Sequence, residues 1–344
     1  MKTVKLGDKI VGDGYPCYII AEIGGLFKNF NEAKRLIDSA VEIGADSIKF
    51  QTYEAETITT KNNFFDFEVT GHLSQYEAFK KSEISKELQM KVIKYANDLG
   101  MTIFSAPSHI KDLEIMKKMD LPIYKIGSDL ACHIPILIEI AKIGKPIILS
   151  TGMCTLEEVK LSVNAILSTG NDQLVILHCV SNYPAEPEET NLNVITTLKN
   201  EFNVPVGLSD HTIDPTVAIG AAAMGTNLIE KHFRDPQNAP SPDDSHALVK
   251  EQFSSLIQSI RIIEKACGDG KKVPTDSEKK FMLTNRVSII SLADIKVGQT
   301  ITKDNIDIRR PGTGIQPIHF EKIVGMRAKS DIPKETPMTF DMLY

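Results

Sequence analysis

The sequence predicts a (β/α)8 barrel followed by a small second module. Three observations carry this: eight short apolar runs, amphipathic stretches between them, and polar side chains at the C-terminal end of every run. The runs are CYIIAEIG (17–24), DSIKFQT (46–52), MTIFSAP (101–107), PIYKIGS (122–128), KPIILSTG (145–152), QLVILHC (173–179), VPVGLSD (204–210) and NLIEKHF (227–233). Each has the length of a strand rather than a buried helix. The intervening stretches have helical period. In NEAKRLIDSAVEIGA, Ala33, Leu36, Ile37, Ala40 and Val41 recur at helix spacing and Gly44 supplies a stop. A doubly wound open sheet is the rival architecture, but no GxGxxG turn follows the first run.

Composition narrows the function classes. The 344 residues are 42% hydrophobic and 24% charged, with a net charge of -6. Basic pairs such as Lys271-Lys272 are short, so no footprint for nucleic acid exists and a small-molecule partner is expected. No apolar stretch reaches the ~20 residues a bilayer span needs, and MKTVKLGDKIVGDG lacks the apolar core of a secretion signal. No membrane partner and a cytoplasmic location are therefore expected. Five scattered cysteines without CxxC spacing argue against a disulfide framework or a thiolate metal site.

The polar residues at the strand ends are Glu22, Lys49 with Gln51, Ser105, Lys125 with Ser128, Ser150 with Thr151, His178, Ser209 with Asp210 and His211, and Lys231 with His232. A single Ser or Thr there needs no function, because strand ends are where chains turn polar. Lysines and glutamates inside apolar runs are different, since an unpaired buried charge costs several kcal/mol. They imply a charged ligand. His211 and His232 lie twenty-one residues apart, too far for one helix face, but the barrel puts them on neighbouring strands at one rim. Two imidazoles there suit a divalent metal. One ligand beside one hydrogen-bonded core histidine is the alternative.

Beyond single residues, AEIG (21–24), KFQT (49–52), YKIGS (124–128), KPIILSTGM (145–153), LHCVSNYP (177–184), GLSDHT (207–212), EKHF (230–233) and RRPGTGI (309–315) together resemble the sialic acid synthases. Those enzymes condense phosphoenolpyruvate with an N-acylated hexosamine to give nonulosonic acids. The resemblance spans nearly the whole chain in order. It implies a barrel over residues 1–268, a linker over 269–283 and a C-terminal SAF, or antifreeze-like, domain over 284–344. The polar stretch GDGKKVPTDSEKK (268–280) agrees with a linker. The last segment also repeats itself: DIKVGQTITKDNI (294–306) aligns with DIPKETPMTFDML (331–343). About sixty residues bury a limited core, so such a module gains by docking on a larger surface.

The resemblance also implies roles. Lys49 and Lys125, with Ser128, Ser181 and Ser209, match positions that hold phosphoenolpyruvate. His211 and His232 match the ligands of a divalent metal, Mn2+ or Mg2+, that polarises the sugar aldehyde. Glu22 matches a carboxylate at the metal and sugar, and Gln51, Tyr183 and Asp243 match sugar-side positions. Ser74-Gln75-Tyr76 matches a loop over the site. Arg310 matches an arginine that reaches the partner's active site in a domain-swapped homodimer. By composition alone Arg309-Arg310 reads as a solvated pair. Three departures accompany these matches. Gly25-Leu26-Phe27-Lys28-Asn29 replaces an Asn-His-containing loop, Asp129-Leu130 replaces a Gly-Glu pair, and Ala106 stands where threonine is frequent, leaving Ser105 or Ser108 as substitutes. Two other classes stay open: a class I aldolase using Lys49 or Lys125 as a Schiff-base amine, and a noncatalytic sugar-binding protein.

Overall fold

The computed structural model describes residues 2–67 and 71–344. All eight expected strands are present: β1 (Tyr18–Glu22), β2 (Ser47–Thr52), β3 (Thr102–Pro107), β4 (Tyr124–Ile126), β5 (Ile147–Ser150), β6 (Leu174–Cys179), β7 (Val206–Asp210) and β8 (Leu228–His232). They close into one barrel in chain order, with β8 returning to β1 through pairs such as His232 with Glu22. Every pairing between these strands is parallel, so all C-terminal ends open on one rim.

The side chains divide by strand parity. One parity packs against the helical ring, with Ile19, Ile48, Ile103, Ile147, Ile176 and Ile229 in a single large cluster. The other parity fills the barrel, where Tyr18, Ile20, Phe104, Ile148, Val175 and Leu228 form a second cluster. A short antiparallel hairpin, Val4–Leu6 with Lys9–Val11, adds Val4, Leu6 and Val11 to that inner cluster and stops the barrel at its N-terminal end.

The surrounding helices follow local rules. Asn29 caps the helix Phe30–Ile43 by accepting the Glu32 N–H, and Gly44 ends it in the left-handed conformation at φ 77°. Ala33, Leu36, Ile37 and Ala40 face the core as expected, while Val41 lies on the exposed side. An insertion after β2 carries the helix Gln75–Ser82, with Ser74 as its cap. Among the described residues no helix is long and apolar enough to cross a membrane.

The chain divides into two compact units, Met1–Gly268 and Asp269–Tyr344. Within and just beyond the stretch expected to be a linker lies a helix, Asp276–Asn285, started by the capping box of Thr275 and Glu278. In the second unit Ser288–Ser291 pairs antiparallel with Ile306–Arg309 around a cluster of isoleucines. Its sequence repeat is a structural pairing. Ile295 and Ile332 exchange N–H···O bonds of 2.8 Å in both directions. The Asp331 carboxylate accepts the Val297 N–H, and that of Asp294 accepts the Lys334 N–H three residues after Asp331.

Candidate active site

A cavity of about 470 Å3 opens at the C-terminal rim of the barrel. Parity decides which polar residues reach it. On β8, Leu228, Glu230 and His232 face inward, so Lys231 between them faces the helical layer. There its ammonium sits 2.7 Å from the Asp210 carboxylate and donates to the Thr212 carbonyl at 2.6 Å. Ser105 shares the outward parity of Ile103 and does not line the cavity. Its hydroxyl lies 2.7 Å from the Thr52 hydroxyl and donates to the Phe50 carbonyl. Ser105 is therefore a strand-to-strand tie rather than a group open to substrate, and Ser108 is the serine of that segment on the cavity wall. His178 likewise faces outward, its Nε2 2.6 Å from the Thr190 carbonyl oxygen.

The inward set makes a charged floor. Lys49 Nζ lies 2.5 Å from Glu22 and 3.5 Å from Glu230. Lys125 Nζ lies 3.5 Å from the same Glu230 oxygen and donates to Ser150 at 2.6 Å. The Ser209 hydroxyl donates to Glu230 at 3.1 Å. All of these side chains are buried. Two lysines and two glutamates inside a barrel offset one another's burial through Glu22 and Glu230 Oε1, while Glu230 Oε2 is left buried without a hydrogen-bond partner. Burial pushes the Lys49 ammonium down to about 8, against the opposing pull of Glu230. Glycine at 152 keeps the adjoining wall open. A Cβ there would fall 2.3 Å from the Ser181 hydroxyl and 2.8 Å from that of Ser128.

Beside the floor stands a group of imidazoles. His211 and His232 are neighbours as expected, ring centroids 5.5 Å apart, and His246 joins them at 4.6 Å from His232. The Nδ1 of His211 donates to the Val180 carbonyl at 2.8 Å, so in the neutral ring Nε2 is the lone-pair nitrogen. Burial alone would raise the Cys179 thiol, but His211 at 3.8 Å outweighs it and brings the thiol down to about 7. Burial holds His232 well below the usual histidine range and His246 at about 3, while it raises Asp243 to about 6. His232, Asp243 and His246 present ligand atoms all within 4.8 Å of one another. His232 Nδ1 and His246 Nε2 are buried with no hydrogen-bond partner. Neutral, unpartnered imidazoles around a carboxylate fit a divalent cation.

The remaining expected residues fall around this centre. Gln51, Ser128, Ser181, Tyr183 and Asp243 line the cavity, with Asp129. The insertion contributes Gln75 and Phe79, so the Ser74-Gln75-Tyr76 segment does border the site. The altered loop 25–29 is largely architectural: Leu26 and Phe27 are buried in the outer core and Asn29 caps a helix, leaving Gly25 on the cavity wall. Arg310 is an exposed residue of the second unit.

Residues 36–272 match the model of the NeuB family. The chain belongs to that family. Residues 286–343 match the SAF domain. The NeuB-family chain is 35% identical to the N,N'-diacetyllegionaminic acid synthase of Legionella pneumophila, over 97% of each chain. It is 35% identical to a pseudaminic acid synthase of Campylobacter jejuni, over 92% of this chain and 93% of that one. Among solved structures, the N-acetylneuraminic acid synthetase of Leptospira borgpetersenii, crystallised with citrate, superposes with a TM-score of 0.73. It has 29% identity, and the match covers 82% of this chain and 95% of that one.

Two residues of this NeuB-family site escape the sequence reading. Glu230 sits in the quoted EKHF motif, and period-two alternation through His232 would have turned it inward instead of Lys231. His246 had no such signal, because it follows an irregular segment and a short 3-10 turn, Pro242–Ser245, whose direction no periodicity fixes.

Proposed function

We propose that this chain condenses phosphoenolpyruvate with an N-acylated hexosamine-type aldose to give a nonulosonic acid and inorganic phosphate. The observation that carries this reading is the pair of buried lysines, Lys49 and Lys125, meeting over Glu230 at the bottom of an open cavity. A ligand with a carboxylate and a phosphate is what two such ammoniums, ringed by the hydroxyls of Ser128, Ser181 and Ser209, are built to hold. The names of the relatives support the same reaction class.

On this reading Lys49 and Lys125 bind and orient phosphoenolpyruvate, and Gln51, Tyr183 and Asp243 hold the sugar. The enol C3 attacks the aldehyde carbon, one carbon–carbon bond forms, and positive character develops at C2 of the former phosphoenolpyruvate. Glu22 and Glu230, beside the lysines, stabilise that charge and orient the water that adds to C2. The tetrahedral adduct then collapses by C–O cleavage, releasing phosphate. Mn2+ or Mg2+ would be held at the histidine group, with His211 and His232 the pair that the resemblance implies. When bound, it supplies Lewis-acid polarisation of the aldehyde oxygen. A domain-swapped homodimer, in which Arg310 reaches the neighbour's site, and a cytoplasmic location complete the proposal.

The test is phosphate release from phosphoenolpyruvate across a panel of aldoses, including N-acetylmannosamine, diacetamido-trideoxyhexoses and unacylated sugars. Aldose-dependent release with one ulosonic acid formed per phosphate supports the reading. A borohydride-trapped pyruvate adduct on Lys49 or Lys125, without phosphate release, would replace it with a class I aldolase.

A further inference from the structure

We propose that His246 is a metal ligand in this chain, and that with Asp243 it adds to the His211–His232 pair at the barrel rim. The argument begins with orphaned atoms. His232 Nδ1 and His246 Nε2 are buried and have no hydrogen-bond partner. Both face one carboxylate: His232 Nδ1 is 3.8 Å from Asp243 Oδ2, and His246 Nε2 is 4.0 Å from Asp243 Oδ1. These distances are too long for hydrogen bonds and too short for an intervening water bonded to both sides. They are close to what a cation needs. Metal bonds of about 2.1 Å put adjacent donors about 3.0–3.4 Å apart, so each imidazole would close on its own Asp243 oxygen by about 1 Å or less, and the whole set, now within 4.8 Å, would contract around the ion.

The turn that carries Asp243 and His246 is arranged for this. Its other acid is already committed, since the Asp244 carboxylate accepts the Ser241 N–H at 3.1 Å as half of a capping box. That leaves the Asp243 carboxylate turned to the histidines. His246 Nδ1 lies 3.3 Å from the Ser245 hydroxyl, an outer partner that fixes the ring and leaves Nε2 as the donor. His246 is fully buried, so its ring has no solvent to satisfy it. His211 borders the same group, its ring centroid 5.5 Å from that of His232 and 5.8 Å from that of His246, so His246 would join the His211–His232 pair rather than replace it. A donor group built mainly of imidazoles favours Mn2+, Co2+ or Zn2+ over Mg2+, because imidazole is a poor match for the harder ion.

What the metal is for rests on the condensing reading above, but its binding can be measured without substrate. Chelator-stripped protein would be titrated with Co2+ by visible absorption and with Mn2+ and Mg2+ by calorimetry, for wild type, His246→Ala, His246→Gln and Asp243→Asn. Circular dichroism would confirm that each variant is folded. Wild type should bind one Co2+ per chain and prefer Mn2+ to Mg2+. Each variant should lose more than the roughly 10- to 100-fold that removal of a partner behind a ligand costs, and should change the Co2+ bands. Wild-type Co2+ affinity and spectrum in both His246 variants would overturn the proposal. Metal-dependent phosphate release together with that result would leave the proposed function standing. Loss of Co2+ binding in the variants of a protein that never releases phosphate would do the reverse.

Discussion

Lys231→Met should destabilise the barrel without touching the chemistry. Lys231 is fully buried, and its ammonium makes two contacts, with the Asp210 carboxylate at 2.7 Å and the Thr212 carbonyl at 2.6 Å. Burial holds this lysine below its usual range despite Asp210 beside it, so the pair carries a real desolvation cost. Methionine fills much of the same volume but leaves the Asp210 carboxylate inside without its cation. Removing one partner of a buried pair costs about 3–5 kcal/mol. The lower end applies, because Asp210 keeps the Thr212 N–H at 2.9 Å and the Thr212 hydroxyl at 2.8 Å. At about 2–4 °C per kcal/mol for a domain of this size class, a loss of about 3 kcal/mol lowers Tm by about 6–12 °C. Thermal unfolding followed by circular dichroism would read this, with kcat/KM for phosphoenolpyruvate measured well below the transition. A Lys231→Met, Asp210→Leu double variant should regain most of the loss, since no charge is then left unpaired. An unchanged Tm with lost turnover would refute the reasoning and return Lys231 to the site.

On the other parity, Lys49→Met should lower kcat/KM for phosphoenolpyruvate by roughly 10- to 150-fold, the size of one charged hydrogen bond of about 1.5–3 kcal/mol, in a steady-state phosphate-release assay. Because the free Lys49 ammonium titrates near 8 and a bound anion holds its proton, phosphoenolpyruvate affinity should fall as pH rises through 8. Binding at pH 8 should take up protons, visible as a buffer-dependent calorimetric heat. Chelator treatment and His232→Ala should each abolish turnover while the far-ultraviolet circular dichroism stays unchanged, since His232 lies at the rim and the inner cluster below it is apolar. Mixing inactive Arg310→Ala and His211→Ala proteins under subunit exchange should restore about a quarter of wild-type activity if Arg310 acts across a swapped interface. A verified heterodimer without activity would exclude that arrangement.

How much of this was legible in the sequence depended on which physical rule governed each residue. The barrel was legible because each strand is a separate apolar run and each helix repeats at its own period. The floor lysines were legible because a charge inside such a run is costly and needs a reason. Ser105, Lys231 and Glu230 depended on a finer rule, that neighbours along a strand point to opposite faces. Reading strand ends as undivided polar patches admitted Ser105 and left Glu230 out. His246 lay beyond that rule as well. Its place is set by a capped turn returning over β8, and nothing local in the sequence says where such a turn will point. The second unit gave itself away by repetition, and the repeat registers as mutual capping by Asp294 and Asp331.

The hairpin at the N-terminal end of the barrel sets the order of traffic. With Val4, Leu6 and Val11 packed into the inner cluster at that end, the cavity among the described residues opens at the opposite rim, and Lys49 and Lys125 lie at its floor. A well fills from the bottom. Phosphoenolpyruvate should be seated before the sugar covers it, and a sugar that arrives first stands between solvent and the floor. Steady-state kinetics should therefore be ordered, with inhibition by excess aldose that added phosphoenolpyruvate relieves.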